Sequence, residues 1–424
     1  MIGLVFDPRP ARLAVAGALS RLNPLWALSA PGPLGLRRLP DPAPPGPDWV
    51  PLEPTFAGVC GSDVTEATLQ ADWDNPLSGL VSFPHVMGHE IVSRVTDPAG
   101  TDLSVGETVV VNPWLGCAAR GLPSCPACAE GMLPLCAHQG EPLPGVSGSG
   151  IHTGNIRGLP GGMGTRMHAH RSQLRRLPDG LEPRAGVLAD PLAVGAHAAE
   201  RVIGGGRLAG PGMGGGRAAK SDLIVVLGAG TIGLAVAASL RRLGAERVVI
   251  SAAWPYQRAL VEGLGAETIS HRPLAVVEHV AEAAEGRLSR PWRGLPWLIA
   301  GGAAAVVDAV GSTATAELSL AIVRPGGLVV RVGVGRAGRT QATLTYFKEV
   351  TVVGSNGYRR DDLGVALAML AGGDVPWRDW LTHRFPLAGW REAFRIAARP
   401  QDHAAVKVTI AIDEKRGERR LRTA

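Results

Sequence analysis

The sequence predicts an α/β protein of two domains, a loop-rich β domain in the first half and a doubly wound parallel sheet in the second. Three observations lead there. The chain has 424 residues, more than a single domain usually holds. A strand, a glycine turn, a helix and another strand follow one another between Leu223 and Ile250. Ahead of them stand the fragments Gly58-Val-Cys-Gly-Ser-Asp63 and Gly88-His-Glu90, and then four cysteines at 117, 125, 128 and 136.

Composition narrows the class. Hydrophobic residues make up 46%, enough for buried cores. No stretch reaches the roughly 18 apolar residues of a membrane-spanning helix. Leu298–Val310 comes closest, and glycines and Asp308 break it. No N-terminal segment joins a basic start to an apolar run and a cleavage site, so a cytoplasmic protein without a membrane partner is expected. The formal charge is +6 and the isoelectric point about 9.4. Arginine supplies most of it, since the lysines are only Lys220, Lys348, Lys407 and Lys415. Apart from a tail from Glu414 to Arg422 the arginines are scattered. Nucleic-acid binding would need a concentrated basic face, so no such partner is expected; a groove for a phosphorylated cofactor suits the charge better.

In chain order, Pro40–Pro47 excludes helix, because each proline fixes φ and lacks an N–H. Residues 49–59 read as a strand leading into Cys60. Residues 72–83 form an irregular loop whose Trp73, Leu77, Leu80 and Phe83 either wall a pocket or pack beneath the loop. The turn Gly88-His89-Glu90 runs into a strand to Val95, and Thr108–Val111 is a second apolar strand. Glycine is dense from 145 to 164, and His152, His168 and His170 there read as surface or hydrogen-bonded groups. Ala189-Asp190-Pro191-Leu192 opens an alanine-rich helix through Arg201, which Asp190 either caps or leaves free to bind a metal.

Thiolate, imidazole and carboxylate are ligands of Zn²⁺, and a catalytic zinc takes about three and keeps one position open. Cys60 and the Gly-His-Glu turn suit such a site. Four thiolates close a tetrahedral shell, and Cys125-Pro-Ala-Cys128 is a knuckle that grips zinc from adjacent turns, so the cysteine lobe reads as structural. This uses all five cysteines. Buried apolar thiols would have no reason to gather at these spacings, and a disulfide fits poorly with a cytosolic enzyme.

After a glycine-dense linker at 204–216, Leu223–Leu227 is a buried strand and Gly228-Ala-Gly230-Thr-Ile-Gly233 opens a helix to about Leu243. The first two glycines allow a tight turn and close approach to a pyrophosphate, the third lets helix pack on strand, and the helix N-terminus favours the anion. The next strand, Arg247–Ile250, ends in Ser251-Ala-Ala-Trp254, with no carboxylate for a ribose 2′-OH. Arg258, with Tyr256 or Gln257 and Ser251, suits a 2′-phosphate, so NADP is favoured over NAD. Strands at Ala305–Val310 and Gly327–Val332 alternate with helices at about 256–264, 275–285 and 313–323, and Val350–Gly354 is an edge strand. Gly311 and Gly333 are further cofactor candidates. Residues 286–297 read as a proline-broken loop, a subunit contact, a lid or plain surface. Leu363–Leu370 is helical, Leu381–Pro386 extended, Trp390–Ala398 helical and Ala405–Ile412 a last strand.

Together these motifs resemble the zinc-containing medium-chain alcohol dehydrogenase family over roughly residues 40–412. The carriers are the fragments around Cys60 and His89, the cysteine lobe, Ala189-Asp-Pro-Leu-Ala193 and the glycine turn, with later echoes at Asp308-Ala-Val-Gly-Ser312, Arg324-Pro-Gly-Gly327 and Lys348-Glu-Val350. The resemblance implies a GroES-like catalytic domain, residues 1–194 with a structural zinc lobe at about 112–140 and a return at 355–424, around a Rossmann domain at 195–354. It also implies that Cys60, His89 and Asp190 bind a catalytic zinc, with Glu90 beside the metal or exchanging onto it. Asp63 would orient His89, and Ser62 would hydrogen-bond a substrate oxygen. Cys117, Cys125, Cys128 and Cys136 would bind the structural zinc, and Gly228, Gly230, Thr231, Ile232 and Gly233 the dinucleotide. The expected activity is hydride transfer between an alcohol, or its aldehyde or ketone, and NAD(P), in a homodimer or homotetramer; the alternatives are a polyol or amino-alcohol dehydrogenase of a specialised pathway, or a non-catalytic zinc-stabilised dinucleotide-binding protein. The chain departs from the family in four places, one of them the glycine-rich 204–216, longer than the family linker. Seven residues, Ala118–Ser124, separate the first two lobe cysteines where two are usual. Thr65 stands where many members carry a relay histidine, and Ala252 where an acidic ribose contact is usual. Trp114 and the 72–83 loop hint at a shielded pocket.

Overall fold

The computed structural model describes residues 1–29, 32–70, 76–203, 218–335 and 342–412. The linker at 204–216, Trp73 and the basic tail lie outside these residues. The chain divides into two units: Met1–Asp190 with Arg359–Gly372 and Trp377–Ala424, and Pro191–Tyr358 with Gly373–Pro376.

In the first unit the strand Trp49–Val59 organises a seven-stranded sheet. It pairs with Val408–Ala411 on one side and Glu90–Val95 on the other, and its first half also pairs with Met167–His170. Thr108–Val111 and Leu174–Arg176 extend the sheet beyond Glu90–Val95, and His383–Pro386 lies outside Val408–Ala411. The register shifts between Pro54 and Phe56, where a proline that cannot donate interrupts the ladder. Val50, Leu52, Ile91, Val95, Val109 and Val111 fill one core. Ala57, Val59, Val408 and Ile410 form another with Trp390 and Phe394 of the helix Trp390–Ala398.

The N-terminal residues hold elements that the proline and alanine bias concealed. Ile2–Phe6 pairs antiparallel with Leu34–Arg38 and with His85–Val86. The helix Pro10–Ser20 and a 3₁₀ turn at Pro24–Leu28 fill the connection. Only Ala16 of that helix is buried, so its sequence carries little helical periodicity.

The second unit is a six-stranded parallel sheet in the order Glu267–Ser270, Arg247–Ala252, Leu223–Leu227, Ala303–Asp308, Val323–Arg331, Thr351–Gly354. All five residues of Leu223–Leu227 are buried, as a strand covered on both faces requires. The helices Pro255–Gly263, Pro273–Ala283 and Thr313–Ile322 fall where their patterns place them. The loop expected at 286–297 needs correction: Arg287–Ser289 and Trp297–Ala300 pair as an antiparallel hairpin. Pro291, Gly294 and Pro296 in its connection masked strands of three and four residues.

The turn from strand to helix depends on backbone contact. Gly228 has φ +97°, and a Cβ on Gly233 would overlap the Gly228 carbonyl oxygen. A Cβ on Gly230 would meet nothing within 4 Å. Gly233→Ala is therefore expected to lower the melting temperature by several degrees, and Gly230→Ala to leave it nearly unchanged, as calorimetry will show. The forced shift of overpacked backbone costs about 1–3 kcal/mol.

Candidate metal and dinucleotide sites

Cys60 ends the strand Trp49–Val59 and precedes the helix Gly61–Ala67. Its N–H donates to Asp63 Oδ2 at 2.9 Å, which fixes the turn. Asp63 Oδ1 lies 3.6 Å from His89 Nδ1, leaving Nε2 of the same ring for a metal. Burial alone would raise the Asp63 pKa, but the His89 ring holds it below the usual carboxylate range. Burial would likewise lower His89, and Asp63 and Cys60 lift it well above its ordinary value.

Gly88 sits at φ +97°, and the glycine-dense loop closes on it. Gly161, Gly162 and Met163 donate to the carbonyls of Val86, Gly88 and Met87 at 2.9–3.0 Å. A Cβ on Gly154 or Gly161 would come within 2.6 or 2.5 Å of the Gly88 oxygen. The glycines at 154 and 161 are thus needed where backbone meets backbone behind His89.

One ligand atom each from Cys60, His89 and Glu90 lies within 4.8 Å of the others. This donor set, a thiolate, an imidazole and a carboxylate, fits zinc. Asp190 is the remaining candidate ligand. It is buried in the first turn of the helix Ala189–Val202, inside the helix rather than at its cap, and close enough to Lys407 to raise that group's pKa.

Lys407 is the group that sequence reading left without a role. Its Nζ donates to Glu90 Oε1 at 2.6 Å and Oε2 at 2.9 Å, and lies 3.4 Å from the Val59 carbonyl. Both side chains are almost fully buried. Burial pushes the ammonium down, yet the Glu90 carboxylate, helped by Cys60 and Asp190, holds it above the ordinary lysine value. Removing one partner of such a pair costs about 3–5 kcal/mol. The available signal was a lone lysine in the apolar strand Ala405–Ile412 of a lysine-poor chain. Gly58 makes room for the pair, because a Cβ there would overlap Glu90 Oε2.

Ser62 is exposed at the start of its helix, and Thr65 Oγ1 donates to the Gly61 carbonyl at 2.9 Å. His152 lies beside this group, its ring 5.1 Å from that of His89 and edge-on to Trp114 at 5.6 Å. Its Nδ1 faces the Thr153 carbonyl at 3.0 Å, so that nitrogen carries the proton, and Nε2 accepts from Asn155 at 3.2 Å. Burial, then His89, pushes its pKa down to about 3, so the ring is neutral. Of the pocket residues proposed in the 72–83 loop, Leu77 and Phe83 are exposed, and Pro76–Leu80 is a 3₁₀ turn.

The lobe cysteines form a second set, all four Sγ atoms within 4.8 Å of one another and none in a disulfide. Cys117 and Cys136 Sγ are 3.6 Å apart, close to the edge of about 3.8 Å that a tetrahedron with Zn–S near 2.3 Å demands. Each sulfur receives a backbone N–H: Cys117 from Cys125, Cys128 from Cys117, Cys125 from Ala137, and Cys136 from His138, at 3.3–3.5 Å. The Ala137 amide, before other groups, brings the Cys125 thiol down to about 6, while burial pushes Cys128 and Cys136 up. The unusual spacer folds as a 3₁₀ turn, Ala118–Arg120. It delivers the buried Arg120, whose guanidinium donates to the carbonyls of Leu115 and Gly150 and feels the charge of Cys136, Cys117 and Cys128.

In the second unit, Gly230 caps the helix Thr231–Arg242, and the open space over it is where a phosphate can reach the amides. Thr231 and Ile232 are the first residues of that helix. Ser251 is buried, and its Oγ accepts the Gly228 N–H at 2.9 Å, so it ties the second strand to the glycine turn. Arg258 is exposed on the helix Pro255–Gly263, and Ala252 is fully buried. Gly311, at φ +77°, packs against the Gly333 backbone; a Cβ on Gly333 would come within 2.6 Å of Gly311 N. Asp308 Oδ1 accepts from Gly311 N at 2.8 Å.

Comparison with known proteins agrees with this geometry. Residues 46–179 match the family model described as alcohol dehydrogenase GroES-like domain, and residues 231–372 the one described as zinc-binding dehydrogenase. L-galactonate-5-dehydrogenase of Escherichia coli (strain K12) is 27% identical over 355 residues, covering 82% of this chain and 88% of that protein. Sorbitol dehydrogenase of Bombyx mori is 28% identical over 377 residues, covering 86% and 92%. Among solved structures, 2R,3R-butanediol dehydrogenase from Bacillus subtilis superposes with a TM-score of 0.68 at 22% identity, covering 90% of this chain and 96% of that one.

Cys128→Ser is expected to lose the metal of the lobe and to lower the melting temperature, with metal content read by elemental analysis. Wild-type metal content in that variant would contradict a four-cysteine site.

Proposed function

Because the chain belongs to the zinc-containing medium-chain dehydrogenase family, we propose a division of labour among its residues for the reaction it catalyses. It is a zinc- and nicotinamide-dependent oxidoreductase that transfers a hydride between an alcohol and its aldehyde or ketone. The convergence of Cys60, His89 and Glu90 carries the reading.

Cys60 and His89 hold the catalytic zinc, with Asp190 and Glu90 as the carboxylates that complete its shell. Lys407 holds both Glu90 oxygens, which favours Asp190 as the resting ligand and Glu90 as the exchanging one. Asp63 keeps His89 in the tautomer that binds through Nε2. When bound, the metal supplies Lewis acidity at the substrate oxygen and the nicotinamide accepts or returns the hydride. The exposed Ser62 hydroxyl hydrogen-bonds that oxygen and passes its proton outward past Thr65. His152 and Trp114 wall the site and exclude water from it. Cys117, Cys125, Cys128 and Cys136 hold a second, structural zinc, which makes two per chain.

The dinucleotide lies on Gly228, Gly230, Thr231, Ile232 and Gly233, with Gly311 and Gly333, packed on each other's backbone, beside it. NADP is preferred, because the second strand ends without a carboxylate and Arg258 follows it. The catalytic domain comprises residues 1–194 and 355–424 and the coenzyme domain residues 195–354, and the working form is a homodimer or homotetramer. The substrate is a small alcohol, and the names of the relatives place polyols and sugar acids first in a test panel.

Cys60→Ser is expected to abolish cofactor reduction across such a panel while dinucleotide binding, followed by fluorescence titration, stays within about twofold. Turnover at the wild-type rate would sink the open metal site. Arg258→Gln should raise KM for NADP about tenfold, equivalent to about 1.4 kcal/mol, and leave KM for NAD unchanged. Equal effects on the two cofactors would remove the argument for NADP.

A further inference from the structure

A separate cavity of about 210 Å³ lies on the N-terminal hairpin, lined by Arg12, Arg37 and Arg391 and by Gly32, Leu34, Gly35 and Leu36. It holds about seven waters' share of liquid volume, too little for a dinucleotide. Asp7 is the counter-ion beside it. One oxygen, Oδ2, lies 2.8 Å from Arg9 Nε, 3.6 Å from Arg12 Nη1 and 2.6 Å from Arg37 Nη1. Arg391 comes from the helix Trp390–Ala398, where its guanidinium lies 4.5 Å over the Trp390 ring and its Nε donates to the Leu28 carbonyl at 3.2 Å. Three guanidiniums, those of Arg9, Arg12 and Arg37, therefore share a single carboxylate, and Arg391 adds a further positive charge to the lining, with no carboxylate partner among the described residues.

The imbalance has a local counterpart. Arg37 Nη2 is buried and has no hydrogen-bond partner. A buried donor left unmade is costly, and arginine cannot shed its proton to escape the cost. Residues 12–37 and Arg391 all lie outside the matched segments 46–179 and 231–372, so the dehydrogenase reaction gives no account of them.

We propose that this cavity is an anion site for a small phosphate-bearing molecule. Guanidinium forks match phosphate oxygens in pairs. Three of them lining one cavity, one with an unused N–H, call for a polyanion with several acceptors. The site is distinct from the dinucleotide turn, which belongs to the other unit.

The test is calorimetric titration of the full-length enzyme with sodium pyrophosphate and with inorganic phosphate, at fixed ionic strength and with NADP(H) saturating the glycine turn. Citrate serves as the carboxylate control. Saturable binding of a phosphate probe is expected, weakened tenfold or more by Arg391→Gln. Gly35→Leu gives a second variant that touches no arginine, since a Cβ there meets nothing within 4 Å; its side chain is expected to block the cavity and weaken binding similarly. Far-ultraviolet circular dichroism of both variants excludes misfolding as the cause. The proposal is overturned if neither phosphate probe binds, if both folded variants bind as the wild type does, or if citrate binds as tightly as pyrophosphate.

Discussion

The metal-binding chemistry depends on the register of three neighbouring strands. Val408 pairs with Val59, and Gly58 with Glu90. That alignment sets Lys407, Cys60 and the His89-Glu90 pair side by side at the ends of their strands. Side chains alternate between the faces of a sheet, so a slip of one residue would turn Glu90 away from Lys407 and part the thiol from the imidazole. The buried ion pair locks the alignment, because any other register strands a charge in the core. The cores on either side of the sheet serve the same end, with the helix Trp390–Ala398 packed under Ala57 and Val408.

The lobe solves a different electrostatic problem. Four thiolates around one divalent ion, as proposed for the lobe, would leave a net negative charge, and burial would make that charge expensive. The fold answers with four amides aimed at sulfur and with Arg120. Arg120 sits in the long spacer between the first two cysteines. What looked in the sequence like a departure from the usual ligand spacing is the segment that delivers a buried guanidinium, held by the Leu115 and Gly150 carbonyls.

Much of this was legible from residues alone. Trp49–Val59, Trp390–Ala398 and the strand-turn-helix around Gly228 were read correctly, because alternation, helical period and glycine turns are local patterns. The gathering of the four lobe cysteines was legible because their spacing is local too. Lys407 was not, for its partner Glu90 is 317 residues away and no local pattern marks a buried ion pair. His152 was seen but left without a place, since its neighbours His89 and Trp114 come together only through the loop closure behind Gly88. The N-terminal helix and the 287–300 hairpin escaped because small residues in one, and prolines and glycine in the other, blur any period.

Gly58 shows how a residue without chemistry can be as constrained as a ligand. The volume its missing side chain would fill is occupied by an oxygen of Glu90. The spelling Gly-Val-Cys is thus dictated partly by a carboxylate on the adjacent strand, not by the thiol it precedes. A deep mutational survey would score position 58 alongside Cys60 and His89, and a reader looking only for reactive groups would mistake a steric vacancy for a catalytic one.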